Sequence, residues 1–349
     1  MGISKTYRIL ILVFLISISN LSHGQNYFAQ GLSLFQSGKD KEAIKYFDLA
    51  IKTNKYDTNA YFYRGLAKEK ILDNGGARSD FNKVLKLNHN DAEAHLQLGI
   101  TWTNTDDFFH AIKEYTKAIK IDSNFAVAFN NRGNVEYIIG DFESAMRDFT
   151  FAAWIDSNYK DAYFNLGHLK MEKKQFSSAI EDFNYVLTID PNDAEAYFER
   201  GEALDGSGDT VNALYDYDKA IELDPKFNDA YYLRGIDRIS NGNFEGALDD
   251  FTTLIKLDSV DSQLYLERGI AYNKLKEYQK AIIDFDLCIN LSQNAIQANA
   301  YLWRGVTYLQ MGNKKRGCED LHTASFYGLY KETEKLIEDN CERKKGGGK

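Results

Sequence analysis

One column of glycines constrains this chain more than any other feature. Glycine stands at Gly31, Gly65, Gly99, Gly133, Gly167, Gly201, Gly235, Gly269 and Gly305; seven of the eight intervals are 34 residues and the last is 36. Twelve residues after each comes a small residue: Ala43, Ala77, Ala111, Ala145, Ala179, Ala213, Ala247, Ala281 and then Gly317. Four residues further on stands a large apolar one: Phe47, Phe81, Tyr115, Phe149, Phe183, Tyr217, Phe251, Phe285 and Leu321. Three columns in one phase define an internal repeat. Small residues recur where two helices approach closely, and a residue four positions on lies on the same helical face. Ala194–Leu204 and Asn212–Leu223 show that helical spacing on either side of the turn Asp205–Asp209. Each repeat therefore reads as a helix, a short turn and an antiparallel helix of about 12 to 14 residues. One such hairpin cannot bury both sides of its apolar stripes, so neighbours must stack into a continuous core.

Composition agrees and excludes other classes. The 349 residues include 2 prolines, 23 tyrosines and 22 phenylalanines, with 27% charged, which is neither a disordered nor a collagen-like profile. A formal charge of -9 with no basic stripe argues against nonspecific binding to nucleic acid. Three cysteines are too few for a disulfide scaffold.

The first 24 residues stand apart from the repeats. Lys5 and Arg8 precede an apolar run, Ile9 to Ile18, and a small polar stretch, Ser19 to Gly24. Ten apolar residues span about 15 Å as a helix, half of a hydrocarbon core of about 30 Å. The pattern predicts a secretory signal over residues 1–24, cleaved between Gly24 and Gln25, with an uncleaved anchor as the alternative. Loss of Lys5 and Arg8 would take the charge from -9 to -11. No later apolar stretch approaches spanning length.

The repeat resembles the tetratricopeptide repeat family. The sixth unit reads AEAYFERGEALDGSGDTVNALYDYDKAIELDPKF, Ala194 to Phe227, and fits that family's 34-residue pattern nearly throughout. The resemblance covers nine repeats over residues 25–326 and implies an all-α, right-handed α-solenoid of nine antiparallel helix pairs. It also implies a concave groove that binds peptides or partner proteins. The sequence departs from the pattern at the turn between repeats. Only Pro191 and Pro225 keep the family's proline; Lys55, His89, Ser123, Ser157, Ser259 and Gln293 replace it, so those turns are expected to be less rigid.

Arg64, Arg132, Arg200, Arg234, Arg268 and Arg304 each precede the glycine, and sixteen residues after each lies an aspartate: Asp80, Asp148, Asp216, Asp250, Asp284 and Asp320. A guanidinium fork matches a carboxylate in bidentate fashion, so the matched spacing predicts structural pairs rather than an anion-binding ladder. Residues 327–349 read as a capping helix around Lys331 to Asn340 and a basic, Gly-rich tail. Cys318 and Cys341 flank the turn before that helix at similar distances, which permits a disulfide in an exported protein; two free thiols are the alternative. Cys288 shares the small-residue column of Ala50, Ala118 and Ala220 and reads as core.

Enzymatic signatures are lacking in the sequence. The six histidines show no metal-ligand spacing, and there is no phosphate-binding loop, nucleophile elbow, HExxH or CxxC. No catalytic residue, metal or cofactor is therefore expected.

In the resembling family the groove is lined by the first helix of each repeat. Carried onto this chain, that implies Phe62, Asn130, Asn134, Asp161, Phe164, Asn165, His168, Glu195, Phe198, Glu199, Glu202 and Tyr232 as partner-binding residues. Family members that clamp acidic C-terminal peptides use lysine and arginine here. Asn130, Asn134 and Asn165 would suit such a clamp, but Glu195 and Glu199 stand where the cations are needed. An acidic wall with aromatic steps suits a basic or extended polypeptide instead. The expected function is a non-enzymatic protein-interaction scaffold, exported to the periplasm, the envelope or the outside of the cell. The alternatives are an envelope glycan-binding module or an accessory subunit of an envelope assembly or secretion complex.

Overall fold

Aspartate and asparagine punctuate the chain at helix boundaries, and their side chains set where many of the helices begin or end. In a computed structural model, residues 24–341 are described; nearly all of the expected leader and the basic tail lie outside them. The chain divides into two compact units, one through Lys173 and one from Lys174. The first holds α1 (24–36), α2 (Asp40–Thr53), α3 (Thr58–Lys70), α4 (Asn74–Leu87), α5 (Ala92–Thr103), α6 (Phe108–Ile121), α7 (Ala126–Ile138), α8 (Phe142–Ile155) and α9 (Lys160–Glu172). The second holds α10 (Phe176–Ile189), α11 (Ala194–Ser207), α12 (Thr210–Leu223), α13 (Asn228–Ser240), α14 (Phe244–Leu257), α15 (Ser262–Lys274), α16 (Tyr278–Leu291), α17 (Asn294–Gln310), α18 (Lys314–Phe326) and α19 (Tyr330–Asn340). Within each unit, consecutive helices pack on one another in chain order, which is the one-dimensional stacking of an α-solenoid. No helix among the described residues is long and apolar enough to cross a membrane.

Helix starts are fixed by side chains that accept from orphan backbone N–H groups. Asp57, Asp91 and Asp193 cap first helices of repeats, while Asp73, Asp107, Asp141, Asp209, Asn243 and Asn313 cap second helices. Helix ends use a different device. The residue after each of most second helices folds its side chain over the next turn: Asn54 Oδ1 accepts from Tyr56 N at 3.1 Å, and Asp122 Oδ1 from Asn124 N at 2.9 Å. Asn88, Asp156, Asp190, Asp224 and Asp258 do the same. Asp190 and Asp224 precede the two prolines; the others do not. The same bond thus closes turns with and without proline.

The turn inside each hairpin needs one residue in the left-handed region. Gly38, Gly140, Gly208, Gly242 and Gly312 supply it without cost, whereas Leu72, Asp106 and Lys276 occupy the equivalent place at φ 64, 56 and 63.

The glycine column and the aromatic column are two halves of one contact. A methyl added to Gly235 would stand 2.7 Å from the Phe251 ring, and one added to Gly269 2.6 Å from the Phe285 ring. Gly31 meets Phe47, Gly65 meets Phe81, Gly133 meets Phe149 and Gly201 meets Tyr217 in the same way. The rings are 0–2% exposed and the partner alanines 0%. Each buried ring is worth about 2 to 3 kcal/mol relative to an exposed one. The last pair departs from this scheme. Leu321 replaces the ring, Gly317 replaces the alanine, and a methyl on Gly305 would lie 3.1 Å from the Gly317 carbonyl, so two glycines bring the backbones themselves together. Cys288 is 0% exposed, and burial pushes its thiol up to about 11, as a core residue requires. At the end of the second unit, Cys318 on α18 is disulfide-bonded to Cys341 just after α19, with Cα atoms 5.6 Å apart, so the terminal helix is held covalently.

Three substitutions separate these effects. Gly235→Ala should lower stability by about 1 to 2 kcal/mol in urea melts despite alanine's better helix propensity, because the Phe251 ring must move. Adding Phe251→Leu, which replaces the ring as Leu321 does in the last repeat, should recover part of that loss. Leu72→Gly at the exposed left-handed turn should raise stability by about 1 kcal/mol in the same assay.

Candidate functional site

The arginines before the glycines are consumed by structure. Arg132 Nε and Nη2 donate to Asp148 at 2.6 and 2.8 Å, Arg200 to Asp216 at 2.7 and 2.7 Å, and Arg268 to Asp284 at 2.8 and 2.8 Å. Arg64, Arg234 and Arg304 hold Asp80, Asp250 and Asp320 by the same fork. The aspartates are 1–7% exposed, so an unpaired carboxylate there would be costly. The third arm of each guanidinium reaches back to the second helix of the preceding repeat. Arg64 Nη1 meets Asp48 at 2.5 Å, Arg132 meets Thr116 at 3.0 Å, Arg200 meets Asn184 at 2.6 Å and Arg234 meets Asp218 at 2.5 Å. Arg268 and Arg304 reach Thr252 and Asp286. Each guanidinium also lies over the aromatic ring three residues earlier, as with Arg234 5.2 Å from the Tyr231 centroid. One arginine therefore ties three elements, and its positive charge is not offered to a ligand.

Gln30, Leu98 and Leu166 stand in place of the arginine in the first, third and fifth repeats. In the third, Leu98 precedes the glycine and Glu114 takes the acid position. His95 Nδ1 lies 2.7 Å from Glu114 Oε2, and Lys117 Nζ 2.7 Å from Oε1. Burial alone would raise the Glu114 carboxyl, but these two hydrogen bonds outweigh it and hold it below the usual range. In the fourth repeat the arginine remains but its helper is reversed. Lys68 and Arg238, three residues after their glycines, add a bond to Asp80 and Asp250 at 2.8 Å. Glu136 stands at the equivalent place opposite Asp148, 12% exposed, with its Oε2 buried and without a hydrogen-bond partner. Its carboxyl is pushed up to about 7, by burial first and then by Asp148, against the pull of Arg132.

The residues expected to line a groove divide by unit. In the first, Phe62 packs on the Phe81 ring at 5.6 Å, half-buried. Asn130, 3% exposed on α7, and Asn134 both accept from Asn165 Nδ2 on α9, at 2.9 and 3.0 Å. The three asparagines thus satisfy one another across two stacked first helices, which is a structural reason for them that the peptide-clamp reading does not need. Phe164 and His168 are half-buried on α9, His168 6.0 Å from the Tyr137 ring, and Asp161 is exposed at the start of that helix. In the second unit, Phe198 is 9% exposed against Tyr217 and Phe227, and Tyr232 packs on Phe251. As partner-contacting residues Asn130 and Phe198 are corrected: both are buried in helix packing. Glu199 and Glu202 are half-buried on α11, while Glu195 is exposed and lines a depression of about 500 Å³ with Asp224, Lys226, Phe227 and Asp229.

The sequence reading missed one residue that the structure makes conspicuous. Asp237 on α13 is 7% exposed, its Oδ2 buried with no hydrogen-bond partner. Burial and then Asp205 on α11 push its carboxyl up to about 6. The signal was available, since Asp237 interrupts a column of small or apolar residues two positions after each glycine. Among the described residues no group of three or more His, Cys, Asp or Glu side chains is placed to hold a metal ion.

Stacked helix hairpins closed by a ring on a glycine, with arginine rungs between neighbours, define the class: an all-α solenoid built on a 34-residue unit. Sequence profiles of the tetratricopeptide repeat match residues 24–57, 167–208, 194–227 and 232–289. Among solved structures, a tetratricopeptide repeat protein from Parabacteroides merdae is 22% identical, with a TM-score of 0.51 over 72% of this chain and 99% of its own. The structure of pilF from Pseudomonas aeruginosa is 14% identical, with a TM-score of 0.55 over 62% of this chain and 98% of that one. PilW, described as a widely conserved type IV pilus biogenesis factor, is 15% identical, with a TM-score of 0.54 over 60% and 97%. At these identities the likeness is one of fold. No curated protein matches the sequence significantly. The chain belongs to the tetratricopeptide repeat family.

Glu136 gives a pH-dependent test of the altered rung. Its folded pKa lies above the unfolded value of 4.5, so the wild type gains stability as pH falls from above 7 toward 4.5 and loses it as pH rises through that window. Glu136→Gln should be more stable than wild type by about 2 kcal/mol near pH 8 in paired urea melts, the difference vanishing near pH 4.5.

Proposed function

We propose that this protein is an exported, non-catalytic scaffold that holds a basic, extended polypeptide along the first helices of its repeats. Tetratricopeptide repeat proteins serve as protein-interaction scaffolds, and the chemistry of this chain narrows the ligand. The observation that carries the reading is the imbalance of charge in the second unit. Its repeat arginines are engaged by Asp216, Asp250, Asp284 and Asp320, whereas Asp205 and Asp237 have no cation beside them and Asp224 and Asp229 line one depression with a single lysine, Lys226. A surface of this sign attracts cationic chains and repels acidic ones.

Export rests on the leader pattern over residues 1–24 and is supported by the Cys318–Cys341 disulfide, a bond that persists in oxidising compartments. The glycan alternative finds less support, because Phe62, Phe198 and Tyr232 pack against the neighbouring rings of Phe81, Tyr217 and Phe251.

Selection from a random peptide library displayed against residues 25–349 tests the proposal. Enrichment of lysine- and arginine-containing sequences without helical periodicity is expected. The triple reversal Glu195→Lys, Glu199→Lys and Glu202→Lys should weaken the selected peptides by about tenfold or more, with a stronger effect at low salt. Equal enrichment of acidic sequences, or indifference to the reversal, would sink the reading.

A further inference from the structure

Two residues after the glycine, the first helices carry Ala67, Thr101, Val135, Leu169, Ala203, Ala271 and Thr307, every one of them 0% exposed. This is a sealed column, set where a first helix meets its neighbours. Asp237 places a carboxylate in it. A buried carboxyl oxygen without a donor is costly, and an alanine would fill the position as it does in the repeats on either side, Ala203 and Ala271.

The surroundings of Asp237 contain acids and spent cations. From α11, Asp205 is exposed and acts on it with like charge. From α12, the buried Tyr217 hydroxyl is raised by desolvation first and then by Asp237, Asp205 and Glu202. On its own helix, Arg234 is held by Asp250 and Asp218, and Arg238 by Asp250 on α14. On α15, Glu267 accepts from Gln263. Among the described residues nothing supplies Asp237 and Asp205 with positive charge, and no set of ligands for a metal ion is assembled here. What the pair lacks is a hydrogen-bond donor that carries a positive charge at the end of a stem slim enough to reach a nearly sealed oxygen.

We infer that Asp205 and Asp237 form the seat of a single lysine or arginine side chain of the polypeptide ligand, an inference that rests on the polypeptide-binding reading above. The ammonium or guanidinium supplies both the missing donor and the missing charge. Occupancy favours the ionised carboxylate, so binding expels a proton from Asp237 below about pH 6 and affinity rises with pH through that region.

The test uses residues 25–349 and a fluorescein-labelled peptide of repeating Lys-Ser-Leu, beside versions with acetyl-lysine or glutamate in place of lysine, read by fluorescence anisotropy. Wild type should bind the lysine peptide about tenfold or more tightly over its acetyl-lysine twin, which keeps the stem and loses the charge, and this preference should shrink near pH 5. Asp237→Asn should abolish the preference while melting at or above the wild-type temperature near pH 7, since it removes a buried charge. Asp205→Asn, at an exposed position, should reduce the preference severalfold without touching the core. If both variants keep the full lysine preference, the seat is refuted and the polypeptide reading stands. If wild type binds none of the three peptides, the polypeptide reading falls and the seat with it.

Discussion

Everything in this fold hangs on an aromatic ring pressed against a glycine sixteen residues earlier. The contact fixes the distance between the two helices of a hairpin, because no side chain separates the ring from the backbone it covers. It also explains why the first helices tolerate a residue of poor helix propensity at their middle: the loss of about 1 kcal/mol is smaller than the gain from burying a whole ring. Packing density, rather than local preference, selects the glycine. Where the ring is absent, at Leu321, the chain restores the close approach with a second glycine, Gly317.

The arginine rungs act one level higher, between repeats. Each joins its own aspartate to a polar group of the previous second helix and stacks on a ring of its own first helix, so the guanidinium is a nearest-neighbour coupling in the sense of a one-dimensional lattice. The price of this architecture is that cations are withdrawn from the surface. Acids that have no rung to join, such as Asp205 and Asp237, then dominate the local field, and the same structural economy that binds the repeats together sets the chemistry open to a partner.

Much of this was legible in the sequence, because periodic features repeat their own signal. The glycine, alanine and aromatic columns and the six Arg–Asp pairs follow from spacing, which also permitted the Cys318–Cys341 bond. Other features escaped for identifiable reasons. Phe198 reads as a groove residue because position alone cannot tell a ring that faces outward from one that covers the ring below it. The asparagine bridge from Asn165 to Asn130 and Asn134 joins two helices more than thirty residues apart in sequence, and polar residues carry no periodicity that betrays such a bond. In the turns after the second helices proline is the conspicuous residue, yet the closing bond comes from the Asx side chain one residue before it. Asp237 was overlooked since the column it interrupts is defined by smallness rather than by a named residue.

The disulfide at the end of the second unit has a directional consequence. A stack of repeats loosens most easily at its termini, where a unit has a neighbour on one side alone. Joining Cys318 to Cys341 closes that exit: α19 can lift from α18 no further than the covalent loop permits. Loss of order in this unit is thereby biased away from its C-terminal end, and the terminal repeat becomes a fixed abutment against which the preceding ones can be pulled, wedged open or reassembled.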